Sequence, residues 1–207
     1  MTFEGFNDKD FEVFTVPGLE PRMEALIANV RPKLETLGGE IAPFLSALCG
    51  EEMFPHVAKH ARRTINPPND TWVAWAASKR GYKALPHFQV GMFGTHLFII
   101  FAVIYESSNK AVFAKHLEKN ISKVRKSLPD DFYWSMDHMD PGFTPHAEMK
   151  PADFEQMAAK LEKVKKSEVL CGLRIPKGEA VLEHGPELVS VIQSTFEKLL
   201  PLYKMAF

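Results

Sequence analysis

Cysteine is scarce in this chain. Cys49 and Cys171 are the only two in 207 residues, and they form no CxxC pair. That excludes a disulfide framework, a zinc knuckle and an iron–sulfur site, and it fits a reducing compartment. Long hydrophobic runs are missing too: the longest, Leu97 to Tyr105, falls far short of the roughly 20 residues a membrane helix needs. The opening MTFEGFNDKDFEVF carries early acids and no continuous apolar stretch, so it does not read as a signal peptide. A cytoplasmic protein with no membrane partner is the expectation. The chain contains no GxSxG, no P-loop, no GxGxxG and no HExxH, which removes the commonest serine hydrolase, nucleotide hydrolase and zinc protease chemistries. No repeat, low-complexity tract or linker divides it, so residues 1–207 are expected to form a single domain.

What is present is an ordinary globular composition, 45 % hydrophobic and 25 % charged. The first fifty residues carry helical spacing, as in Met23, Leu26, Ile27 and Val30. Pro32 is expected to kink or end that helix, and Gly38-Gly39 to separate it from a third. From Met53 the period changes to two. Strands are expected over Met53–His60, Thr71–Ala77, His87–Phe93 and His96–Tyr105, the last two forming a hairpin at Gly94-Thr95 with a type II′ turn. The segment HLFIIFAVIYE is apolar on both faces and should be a central strand covered on each side. Further strands are expected over Phe132–Met139, Phe143–Met149 and Val169–Ile175, with helices after Asn109, Pro151 and Pro186. The fold class is α+β: a largely antiparallel sheet flanked by N-terminal, middle and C-terminal helices.

Charge is distributed unevenly. The chain has a net charge of −1, yet His56 to His87 holds Lys59, Arg62, Arg63, Lys79, Arg80 and Lys83 against Asp70 alone. Such a segment attracts anions. If its two basic groups converge, Lys59, His60, Arg62 and Arg63 with Lys79, Arg80, Tyr82 and Lys83 would seat a phosphate or carboxylate, with His87 and Gln89 as neighbours on one strand face. If they do not, they are solvated edge residues. Trp72 and Trp75 suggest stacking on nucleic acid, but their odd spacing puts them on opposite strand faces, so only one could serve such a platform.

A second constellation is Asp137-His138-x-Asp140, followed by His146 and Glu148. Asp137 could orient His138 as a general base, and His138, Asp140 and His146 are potential metal ligands, though the spacing matches no defined motif. The sequence names no cofactor and does not set the oligomeric state. Three functions therefore stand: binding of an anionic small molecule at the basic cluster, a metal- or His/Asp-dependent hydrolase or transferase, and an interaction protein for RNA or an acidic partner.

The phrases MFPHVAKHARRTINPPNDTWVAWA, KRGYKALPHFQVGMFGTHLFIIFAVIYES and GFNDKDFEVFTVPGLEPRM resemble the bacterial YktB family, and the resemblance spans nearly the whole chain. It implies a bacterial cytosolic α+β domain. It supplies no catalytic residues.

Overall fold

A computed structural model describes residues 2–207. Asn7 caps the first helix, α1 (Asp8–Glu12), accepting from the Lys9 amide while Asp10 accepts from the amide of Asn7. Helix α2 (Leu19–Ala25) runs through a π-helical turn at Leu26–Val30 into α3 (Arg31–Cys49). Here the expected breaks do not occur. Pro32 follows directly on the π-helical turn, where the regular hydrogen-bond ladder is already interrupted, so the helix runs on through its missing donor. Gly38 lies mid-helix because the sheet comes too close for a side chain: a Cβ there would be 3.1 Å from Pro55 and 3.2 Å from Val73.

The next segment forms four consecutive antiparallel strands, β1 (Phe54–Val57), β2 (Asp70–Ala76), β3 (His87–Phe93) and β4 (His96–Val103). The β3–β4 hairpin turns at Gly94-Thr95 as expected, but Gly94 is not left-handed, so the turn is not type II′. Its Cβ position would lie 3.3 Å from Phe14, a close approach that favours glycine. Helices α4 (Lys110–Lys119) and α5 (Ile121–Ser127) follow. Strand β5 (Tyr133–Ser135) is shorter than expected, and β6 is only the Thr144–Pro145 pair before a 3-10 turn. Helix α6 (Pro151–Lys163), strand β7 (Val169–Pro176) and helix α7 (Gly185–Lys204) complete the chain.

All seven strands join one antiparallel sheet in the order β1-β2-β3-β4-β7-β5-β6, so the architecture is α+β with β4 at its centre. Strand parity divides the side chains. Val73, Trp75, Phe88, Val90, Ile99, Phe101 and Trp134 point into the large core, where the helices contribute Leu34, Ile41, Phe113, Phe154, Ile192 and Phe196. Trp75 is fully buried there, edge-on to Phe196 and donating its indole N–H to the Gly38 carbonyl at 2.9 Å. On the other face, Phe93, Phe98, Ile100, Ala102, Tyr133 and Leu170 form a smaller cluster containing no helical residue. β4 is buried on both faces as expected, but its second cover is made of loops. Cys171 is buried in the large core and Cys49 is half-buried, so neither thiol is placed for chemistry.

Candidate functional site

The loop-covered face holds a narrow cleft of about 70 Å³. Period-two geometry delivers its floor. Asp70 and Trp72 from β2, Gln89 from β3, His96, Phe98 and Ile100 from β4, and Leu170 and Arg174 from β7 all share this face. The 136–142 loop closes one side with Asp137, His138 and Asp140, and the β2–β3 loop supplies Tyr82 and Lys83. An apolar floor with a few convergent polar groups is the usual constitution of a small-molecule site.

Arg174 is the most distinctive of those polar groups. One terminal nitrogen, Nη2, lies 3.0 Å from His96 Nδ1, and the guanidinium packs 4.0 Å above the Phe143 ring. The other nitrogen, Nη1, is buried and has no hydrogen-bond partner. Among the described residues no carboxylate pairs with this guanidinium, so its charge is met only by a neutral imidazole and aromatic faces. Burial and the adjacent guanidinium lower His96 to about 4, which keeps its ring an acceptor.

Asp70 is 3 % exposed, and burial raises its carboxyl to about 6 even though His138 and Arg63 pull it down. His138 is held by Glu168: both its Nδ1 and its backbone N–H lie 2.7 Å from Glu168 Oε1. Burial opposes the charge on His138, but the bond to Glu168 and the charges of Glu168, Asp70 and Asp137 outweigh it, and the net shift is upward. The expected partner is thereby corrected. Asp137 does not orient His138, because its Oδ1 accepts from the Met139 amide in a local turn. Asp140 likewise accepts from the Gly142 amide. His146 is no ligand candidate, being 4 % exposed with Nδ1 accepting from the Trp134 indole at 2.9 Å.

The basic cluster does not converge on one seat. Its two groups leave opposite ends of β2, since one loop precedes Asp70 and the other follows Ala76. Lys59, Arg62, Lys79 and Arg80 are exposed, Arg63 is half-exposed, and none of the five lines the cleft. His60 stands outside it, edge-on to Trp72 with Nε2 3.3 Å from Thr71 Oγ1. Tyr82, Lys83 and Gln89 do line it: Tyr82 accepts from the Trp72 indole at 3.0 Å, and Lys83 pairs with Glu106 at 3.3 Å. His87 lies beneath, fully buried, with Nδ1 on the Leu85 carbonyl and Nε2 accepting from Gln89. Asp70, His96, Glu168 and Arg174 escaped the sequence reading as site residues. A lone arginine within the otherwise apolar VLCGLRIP was the available signal.

Three desolvated histidines, His96 in the cleft, His87 beneath it and the half-buried His60 outside it, give the protein a pH signature. Burial lowers His60, His87 and His96 each to about 4. The unfolded chain takes up these protons near pH 6.5, whereas the folded chain does so only near 4. Stability is therefore full above pH 6.5 and falls as the pH drops from 6.5 toward 4. Asp70 and His138, both shifted upward, work in the opposite direction but are two groups against three. We expect a lower melting temperature at pH 5 than at pH 7.5, and a shallower decline in His87→Gln, measured by thermal denaturation across that range. For the fully buried His87 the lost contribution approaches about 3 kcal/mol at the acid end. A flat profile, or one as steep in the variant, contradicts this assignment.

A seven-stranded antiparallel sheet with helices on one face and a loop-walled cleft on the other defines this molecule's class. The chain belongs to the DUF1054 family, described as a domain of unknown function, which it matches over residues 6–203. It is 48 % identical over 205 residues to a UPF0637 protein of Bacillus velezensis, covering 99 % of this chain and 98 % of that one. A UPF0637 protein of Bacillus mycoides is 47 % identical over 205 residues, with 99 % of each chain covered. A third relative, from Bacillus licheniformis, is 48 % identical over 200 residues, or 97 % of this chain and 95 % of its own. The resemblance to the YktB family is thus borne out. No described helix is long and apolar enough to cross a membrane.

Proposed function

We propose that this is a cytoplasmic small-molecule-binding protein whose cleft takes an anionic group, phosphate or carboxylate, against Arg174. An apolar or aromatic body would lie over Trp72, Phe98 and Ile100. The observation that carries the reading is the buried, unpartnered Nη1 of Arg174. Buried charges are ordinarily paired, and a guanidinium with free donors facing no protein carboxylate is suited to an oxyanion brought by a ligand. The exposed Arg62 and half-exposed Arg63, whose charges are felt at Tyr105 and Asp70, then serve as a rim that raises the local concentration of anions. This relocates the anion seat from the basic loops to the sheet face.

A thermal-shift screen with inorganic phosphate, phosphorylated metabolites and aromatic carboxylates tests the proposal. A ligand at about 100 times its dissociation constant adds roughly 2.7 kcal/mol, a shift of several degrees for a chain of this length. Arg174→Met is expected to weaken binding roughly ten- to a hundredfold, the worth of a charged hydrogen bond. Arg62→Ala combined with Arg63→Ala should bind with little change at moderate salt. The reverse pattern would place the site on the basic loops and favour the acidic-partner or RNA reading.

A further inference from the structure

We propose that Asp137, His138 and Glu168 form a binding site for one divalent transition-metal ion of the zinc or manganese type, opening into the cleft. One donor atom from each of the three lies within 4.8 Å of the other two. Such a grouping of acids and a histidine is common on protein surfaces and by itself means little. The state of Glu168 sets this one apart.

Glu168 is 4 % exposed, and its Oε2 is buried with no hydrogen-bond partner. Its Oε1 takes both bonds from His138, so the imidazole answers only half of the carboxylate. Lys110, which feels the Glu168 charge, gives its ammonium to the Val164 and Lys165 carbonyls at 3.0 and 2.8 Å and is not its hydrogen-bond partner. A buried carboxylate oxygen without a donor costs free energy that a bound cation would offset. Nδ1 and Oε1, now 2.7 Å apart, would have to part by less than about 1 Å to reach the roughly 3.3–3.6 Å between ligands of a tetrahedral ion at 2.0–2.2 Å. An ion there would replace the shared proton and engage the idle Oε2.

The donor set indicates the class of ion. Two carboxylates and one imidazole suit a borderline cation better than calcium or magnesium, which prefer all-oxygen shells. Three protein ligands leave at least one position open, the arrangement of sites that activate water or hold a ligand rather than purely structural ones. Asp137 and His138 both line the cleft, so the open position lies on that side. The second carboxylate is thus Glu168, immediately before β7, and Asp140 and His146 take no part.

The test is calorimetric titration of the full-length, metal-stripped protein with zinc or manganese chloride, alongside cobalt(II) as a spectroscopic probe. One ion per chain is expected, with a cobalt visible band that reports nitrogen and oxygen ligation. Glu168→Gln should weaken binding by roughly tenfold or more. Because Glu168 is buried, Asp137→Asn provides an independent variant at an exposed position; asparagine can still accept from the Met139 amide, and binding should weaken comparably. Arg174→Met should bind the ion like the wild type, so failure of this site and failure of the anion site are separately visible. No saturable binding at millimolar metal, or binding untouched by both substitutions, overturns the proposal.

Discussion

Asp70→Asn is expected to make the protein more stable at neutral pH. The carboxyl titrates near 6 in the folded chain and near its ordinary 3.8 when unfolded, so it is the unfolded state that ionises more readily. Above pH 6 folding must bury a charge, and the two-unit difference corresponds to about 3 kcal/mol. Asparagine fills nearly the same space without that charge. In a chain of this length the gain should appear as a rise of roughly 6–12 °C in melting temperature at pH 7.5. It should shrink as the pH falls through 6 and vanish near 4, where aspartic acid is neutral in both states. Thermal denaturation of the two proteins across pH 4–8 checks the sign and the window together. A variant less stable than the wild type at pH 7.5 would mean that the Asp70 charge is held by a partner. A residue that costs stability while lining a cleft is in keeping with a functional position, where pKa values are commonly perturbed.

The two strand tryptophans should respond very differently to truncation. Trp75 fills the junction of β2, α3 and α7, so Trp75→Ala leaves a large cavity and strands the Gly38 carbonyl. A loss of about 3–5 kcal/mol is expected, enough to leave the protein marginal at 37 °C. Trp72 is half-buried in the cleft wall, where its indole donates only to Tyr82. Trp72→Ala should cost roughly 1–2 kcal/mol and should instead weaken ligands that lie on the sheet face. Denaturant unfolding of both variants measures the contrast. Equal losses would show that the second face is as tightly packed as the first, leaving no room for a ligand.

Period-two alternation made this contrast legible in the sequence: Trp72 and Trp75 are three residues apart and must face opposite ways. The same rule located β2, β3, β4 and β7 and the central place of HLFIIFAV. Glycine was harder to read. Gly38-Gly39 has the composition of a helix break, yet Gly38 is there because Pro55 and Val73 press against the helix, neighbours supplied by a strand and a register that adjacent residues do not reveal. The site was legible only in part for a related reason. Basic residues dense in sequence drew attention to two loops, while the groups that meet in the cleft come singly from β2, β4, β7 and the 136–142 loop. Glu168 reaches His138 across thirty positions because β5 pairs antiparallel to β7, with Ser135 opposite Leu170. Local spacing proposed Asp137 for that role, but a residue adjacent on the chain was better placed to cap its own turn.

The central claim is that Arg174, and not the basic loops, receives an anion. Side-chain guanidinium NMR on isotopically labelled protein, titrated with inorganic phosphate and then with the best ligand from the thermal screen, tests it most directly. The account predicts a saturable shift of the Arg174 resonances, with the same dissociation constant as the thermal shift, while Arg62 and Arg63 move only weakly and in a salt-dependent way. Saturable shifts at Arg62 and Arg63 with Arg174 unmoved would contradict it.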